Sequence, residues 1–255
     1  MTRRDPVTTR TDEDIKGEVR GHYSEVAKNA VSCCDSSCCE DTSTLYTIQE
    51  IQELPSEAVL ASAGCGNPTA VASLKPGDTV VDFGSGGGID CFLAARAVGP
   101  RGKVIGVDMT PDMVDLARGN AEKLGLSNVE FHLTDMEHTP ITGGSVDVVI
   151  SNCVICLAPN KDSVFQEAFR ILRPGGRVFF SDMVLVQELP ADVAADMDNW
   201  VSCLAGAELK ETYLKRLSKA GFEAVEVLSE HPLDNSEGWR AEVRSMNITA
   251  DKPAA

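Results

Sequence analysis

The chain has 255 residues, within reach of one α/β domain with appended elements, and its 23 basic and 39 acidic residues give a net charge of −16. That balance, with no basic cluster beyond the short Thr2-Arg3-Arg4 start, excludes nucleic acid as an expected partner, because phosphate binding draws on Lys and Arg. No apolar run reaches the roughly 18 residues needed to span a bilayer, and the polar N-terminus lacks a signal-peptide apolar region; the expectation is a cytoplasmic protein with no membrane partner. In that reducing setting the nine cysteines are expected to be thiols, which favours metal binding, redox chemistry or catalysis over structural disulfides. The acidic excess keeps the chain soluble by self-repulsion and suits a salty medium. Weaker folding in dilute buffer than in concentrated salt is the expected result of a denaturation series, and salt-independent stability would contradict it.

Residues 1–45 are polar and carry Cys33, Cys34, Cys38 and Cys39 among serines and acids, so they are expected to form a mobile, cysteine-rich N-terminal segment. Residues 46–183 hold alternating strand and helix signals. Strands are expected at 79–83, 103–107, 129–133, 146–150 and 177–180, and strands separated by helices predict a parallel sheet. Thr110 and Pro111 open a helix whose Val114, Ala117, Ala121 and Leu124 repeat at helical spacing, with Thr110 as the expected cap. A helix over 161–172 should stop at Pro174-Gly175-Gly176. Residues 184–255 then supply a mainly helical cover and two final strands near 224–228 and 241–248.

After the first strand, Asp82-Phe83-Gly84-Ser85-Gly86-Gly87-Gly88 places glycines where a strand turns sharply into a helix and a ligand presses on bare backbone. Asp108, ending the second strand, stands where a carboxylate accepts ribose hydroxyls. The dinucleotide pattern would need glycine at Ile89, and Asp82 would repel a pyrophosphate but attract an ammonium or sulfonium. Together with the Leu172-Arg173-Pro174-Gly175-Gly176-Arg177 turn, these residues resemble class I S-adenosylmethionine-dependent methyltransferases over residues 74–182. The resemblance implies a Rossmann-like, doubly wound, mostly parallel seven-stranded α/β sheet, with helical N-terminal and C-terminal additions forming the substrate site. It also implies S-adenosylmethionine held by Asp82, Gly84, Ser85, Gly86, Asp108, Met109, Asp135, Met136 and Asn152.

Cys153 directly follows the apolar fourth strand, at the sheet edge where ligands of such folds bind. Cys65 lies in Gly64-Cys65-Gly66-Asn67-Pro68, and Cys203 in Cys203-Leu204-Ala205-Gly206-Ala207. No zinc-ribbon pattern is present, and three dispersed thiols suit a soft trivalent centre better than a hard cation. With Ser151-Asn152-Cys153-Val154-Ile155 these motifs resemble arsenite S-adenosylmethionine methyltransferases over about residues 20–230.

That resemblance implies methyl transfer to trivalent arsenic, as arsenite or methylarsenite, bound by Cys65, Cys153 and Cys203 and delivered as arsenite–thiol conjugates for arsenic detoxification. Tyr23, in His22-Tyr23-Ser24, would help cover the cofactor. Cys33, Cys34, Cys38 and Cys39 are open to three readings: incidental thiols of a solvated tail, a loosely formed metal site, or a redox relay. In the relay, Cys33 and Cys34 would be the pair served by a thioredoxin-type or glutathione-like reductant, with Cys38 and Cys39 unassigned. Ser85, Ile89 and Ala205 depart from the family pattern, as does the missing C-terminal cysteine-bearing domain. Cys91 reads as core, and the apolar neighbours Val154, Ile155 and Leu157 assign Cys156 to packing. Two other functions share much of this pattern: methylation of a small carbon acceptor such as a quinone, and a non-enzymatic thiol metalloid binder or redox sensor.

Overall fold

The computed structural model describes residues 7, 10–29, 45–52, 54–62, 64–233 and 237–254. In chain order the longer elements are α1 (Asp12–Asn29), β1 (Thr79–Phe83), α2 (Ile89–Val98), β2 (Lys103–Asp108), α3 (Pro111–Leu124), β3 (Val129–Leu133), β4 (Val146–Asn152), α4 (Lys161–Ile171), β5 (Leu172–Leu185), β6 (Glu208–Leu209), α5 (Lys210–Ala220), β7 (Glu223–Pro232) and β8 (Val243–Asp251). The strands run in the order β3-β2-β1-β4-β5-β8-β7, with the two-residue β6 pairing off β5. β1 lies between β2 and β4, parallel to both, and β8 is antiparallel to β5 and β7.

Chain order reverses on either side of β1, so the carboxyl ends of β1 and β4 frame the crevice where α/β sheets bind ligands. Val80, Val81 and Phe83 are buried because helices cover both faces of the sheet. One face packs Val81, Phe83 and Phe180 with Phe165 and Tyr213; the other packs Val80, Val104 and Val148 with Phe92 and Phe131. The last two strands belong to this same sheet, and β5 continues to Leu185, so the C-terminal segment is woven into the sheet that carries the site.

Three local expectations change. Residues 12–29 were expected to be mobile and instead form α1, which buries Ile15, Val19 and Val26. Its start is fixed by reciprocal bonds in which the Thr11 N–H donates to Asp14 (3.0 Å) and the Asp14 N–H to the Thr11 hydroxyl (3.2 Å), a capping box within an otherwise polar stretch. Thr110 stands at the N-cap of α3, but its side chain makes no capping bond. Its N–H and hydroxyl are drawn instead to the Asp108 carboxylate. The Pro174-Gly175-Gly176 turn lies within β5: Val146 pairs with Leu172 and Val148 with Arg177, so residues 173–176 bulge from the ladder.

Candidate active site

The thiol group is set by two residues in an unfavourable backbone conformation. Cys153 (φ 57°) and Cys203 (φ 63°) are both left-handed without being glycine, at a cost of about 1–2 kcal/mol each. Cys153 is the residue after β4, with its N–H donating to the Ser181 carbonyl of β5 at 2.7 Å. Cys203 follows the helical turn Met197–Val201, and its thiol donates to the Cys153 carbonyl at 3.2 Å. The Sγ atoms of Cys153, Cys156 and Cys203 all lie within 4.8 Å of one another, and the Cys65 thiol also meets Cys153. Cys153 is therefore the hub of a four-sulfur group. None of the five described cysteines is joined in a disulfide.

Cys156 packs in the core, as its apolar neighbours imply, and has a second set of contacts besides. It is fully buried, yet its sulfur faces two others. The cause is the tight 3₁₀ turn Ile155–Leu157 directly after Cys153, which brings the residue three positions on back over its starting point. Its N–H donates to buried Asp182 at 3.1 Å, Asp182 also accepts from the Tyr213 hydroxyl at 3.2 Å, and Lys161 Nζ donates to the Cys156 carbonyl at 3.1 Å. Cys65 is anchored from the other side. Its N–H donates to Asn152 Oδ1 (3.0 Å), its carbonyl accepts from Ser245 Oγ (2.6 Å), and Asn152 Nδ2 donates to the Gly66 carbonyl (2.7 Å). A Cβ on Gly64 would come within 2.5 Å of Asn152, so the close approach that delivers Cys65 to β4 needs glycine.

The neighbouring thiols of Cys156, Cys203 and Cys65, then burial, push the Cys153 thiol well above the usual range, and burial does the same for Cys156. For Cys65 a hydrogen bond from Cys153 acts downward, but burial and the Asp182 charge outweigh it and the thiol is raised. Without a ligand Cys65, Cys153 and Cys156 are protonated at neutral pH.

Cys153 lies on the wall of a cleft of about 920 Å³ at the carboxyl end of the sheet, under α1. Of the expected cofactor residues, Tyr23, Gly84, Ser85, Gly86, Asp108, Met109, Asp135, Met136 and Asn152 line it, whereas Asp82 does not. Asp82 is buried and accepts from the Cys91 thiol at 3.3 Å, so its carboxylate faces α2. The acid that reaches the cleft is Asp90, in the first turn of α2, held by the Tyr46 hydroxyl (2.9 Å) and Asn152 Nδ2 (3.1 Å). Lys16 and Val19, seven and four residues before Tyr23, complete a stripe on one helix face that covers the opening. Lys16 bonds Asp135 and Glu137, each at 2.6 Å, and so ties α1 across the cleft. Tyr23 joins the two parts of the site, since it lines the cleft while its hydroxyl lies 3.8 Å from Cys203 Sγ. Cys33, Cys34, Cys38 and Cys39 lie outside the described residues.

The cleft fits an adenosyl ligand carrying positive charge. Asp108 lines the cleft with its carboxylate fixed by the N–H groups of Gly86 (3.0 Å) and Thr110 (2.8 Å), and a Cβ at Gly84 would strike Val154. Among the described residues, buried Ser85 Oγ and Glu137 Oε1 have no protein partner, as expected of groups awaiting a ligand. Burial raises Asp90 to about 6. Its folded form therefore holds a proton that the unfolded chain releases from about pH 4, and ionisation near pH 6 prepares the cleft for a cation. Cofactor affinity is expected to fall as pH drops through about 6, and Asp90→Asn should flatten that dependence in calorimetric titrations; an unchanged profile would remove Asp90 from the site.

A family model described as a methyltransferase domain matches residues 74–221. A protein of Halobacterium salinarum named arsenite methyltransferase is 42% identical, over 97% of this chain and 69% of its own length. The chain belongs to the arsenite methyltransferase family. A second member, from Aquipseudomonas alcaligenes, is 33% identical over 88% of this chain and 66% of its own length. The crystal structure of an arsenic(III) S-adenosylmethionine methyltransferase from Chlamydomonas reinhardtii matches with a TM-score of 0.67 at 30% identity, covering 85% of this chain and 74% of that one. The chain thus spans about two thirds of the length of these two family members. The chain has the fold of class I S-adenosylmethionine-dependent methyltransferases, and no helix among the described residues is long and apolar enough to cross a membrane.

Proposed function

We propose that this chain transfers methyl groups from S-adenosylmethionine to trivalent arsenic held by the thiols of Cys65, Cys153 and Cys203. The observation that carries the reading is the convergence of sulfurs on Cys153, the one cysteine of that group that lines the cofactor cleft. Arsenite enters as the neutral acid or as a thiol conjugate. Each protein thiol gives its proton to a departing hydroxide or small thiolate, so water or free thiol leaves, and the raised pKa values of Cys65 and Cys153 do not oppose binding. When bound, S-adenosylmethionine supplies an electrophilic methyl group on a positive sulfur.

The chain's own residues then position and exclude. The arsenic lone pair carries no proton, so no general base is needed. Burial of Cys65, Cys153 and Cys203 to 3%, 3% and 5% exposure keeps water from the soft centre. Holding both reactants at near-attack distance contributes several kcal/mol. The strained backbone at Cys153 and Cys203 serves that placement. Electrons that return arsenic to the trivalent state come from protein thiols closing a disulfide, with Cys33 and Cys34 as the relay and a thioredoxin-type protein or small thiol as final reductant. The cytoplasm, with its reducing pool, suits this cycle, and arsenic detoxification is its purpose.

Methylarsenite has one arsenic bond already taken by carbon and needs two thiols. Cys65→Ser is therefore expected to slow arsenite methylation more than methylarsenite methylation in initial-rate assays, while Cys203→Ser, which takes a sulfur from beside the hub, impairs both. A larger loss on methylarsenite than on arsenite for Cys65→Ser would contradict its assignment as the third ligand. A screen with quinone-type acceptors tests the competing reading, which needs no converging thiols.

A further inference from the structure

We infer that Cys156 is a fourth arsenic-binding thiol, forming with Cys153 and Cys203 a second three-sulfur set that shares two ligands with the Cys65 set. The inference rests on the proposed arsenic site and adds a ligand that the sequence motifs do not mark. Cys156, rather than Cys65, completes the group of sulfurs that lie mutually within 4.8 Å. Cys156 packs in an apolar core cluster, and its sulfur also meets those of both Cys153 and Cys203. Its backbone is fixed from three sides: Asp182 takes its N–H, Lys161 caps its carbonyl, and Gly206, two residues past Leu204 in the Cys203 turn, packs directly on that carbonyl. The contact with Gly206 couples the placement of Cys156 to that of Cys203.

Four sulfurs around one hub let arsenic change partners without leaving the site. As the Cys156 sulfur bonds arsenic, the bond to Cys65 breaks and the Cys156 proton passes to the Cys65 sulfur. The exchange replaces one arsenic–sulfur bond with another, and no electrons change hands. Soft trivalent centres are selected by either set alike.

The test measures binding of arsenite alone, without cofactor, by calorimetry and by X-ray absorption counting of arsenic–sulfur bonds. All proteins carry serine at Cys33, Cys34, Cys38 and Cys39, so that only the site's thiols contribute. Cys65→Ala and Cys156→Ala are each expected to keep three sulfurs on arsenic and to lose affinity by less than about tenfold. The double variant should drop to two sulfurs and lose more than about 100-fold, a coupling between the sites far beyond additivity. Phenylarsenite, which needs two sulfurs, should bind all four proteins about equally. Cys156→Ser keeps the side-chain volume and should reproduce the pattern, and S-adenosylmethionine binding reports that each variant is folded. If the parent binds arsenite through three sulfurs and substitution of Cys156 changes nothing in either background, the Cys156 assignment is overturned alone. If the parent takes up no arsenite, the methyl-transfer reading falls with it.

Discussion

Cys153→Ser abolishes arsenite methylation while S-adenosylmethionine still binds: that is the result expected from the position of this sulfur. Cys153 is the only member of the thiol group on the cleft wall, and Cys65, Cys156 and Cys203 all meet it. Removing any other sulfur leaves a hub with two neighbours; removing this one leaves the site without a hub. A serine hydroxyl keeps the left-handed turn and the 2.7 Å bond from its N–H to the Ser181 carbonyl, but it is a poor ligand for a soft centre. A loss of at least about 100-fold in kcat/KM is expected, the scale on which misplacing a reacting centre acts. The cleft-lining groups Asp108, Asp90 and Tyr23 are untouched, so calorimetric affinity for S-adenosylmethionine should hold. Substantial residual turnover in Cys153→Ser would move the arsenic site elsewhere.

Gly206→Ala should be the most damaging single-methyl change near the site. Its Cβ would overlap the Cys156 carbonyl oxygen, a backbone atom already held by Lys161, and would press on Trp200 at 3.2 Å. Neither neighbour yields easily, so an overpacking cost of about 1–3 kcal/mol is expected, seen as a melting-point decrease of roughly 3–10 °C. Relief requires the Cys203 turn to move off Cys156, which separates the sulfurs. Arsenite binding should therefore weaken more than cofactor binding does. Gly119→Ala is the contrast: it lies within α3 with nothing inside 4 Å, and replacing a helical glycine there should leave stability equal or raise it by about 0.5–1 kcal/mol. Equal behaviour of the two variants would show that the Gly206 contact does not hold the site together.

The residues differ in how plainly they announce these roles. Cys153 was readable because an apolar strand ends just before it and the glycine loop identifies which sheet edge binds ligand. Asp108 and the glycine loop follow from the same logic. Asp82 shows where strand-end position alone misleads: both faces of β1 are covered, and the Cys91 thiol of α2 draws its carboxylate away from the cleft, leaving Asp90 to fill that place. A signal was present in the first turn of the helix after the loop, where an acid next to the cleft opening is well placed. α1 was hidden by its polarity, yet the Thr11–Asp14 capping box and the spacing of Lys16, Val19 and Tyr23 mark a helix with one face turned to a ligand. Cys156 was obscured by its apolar neighbours, because nothing in Val154-Ile155-Cys156-Leu157 declares a 3₁₀ turn that folds it back on Cys153.

The central claim is that these thiols hand arsenic to the methyl donor in the adjoining cleft. Mass spectrometry of products from the purified protein with S-adenosylmethionine, arsenite and a small thiol tests it most directly. Methylated arsenic and S-adenosylhomocysteine appearing together, and both disappearing in Cys153→Ser, is the predicted result. Arsenite bound without consumption of S-adenosylmethionine, or cofactor turnover that leaves arsenic unmethylated, would contradict it.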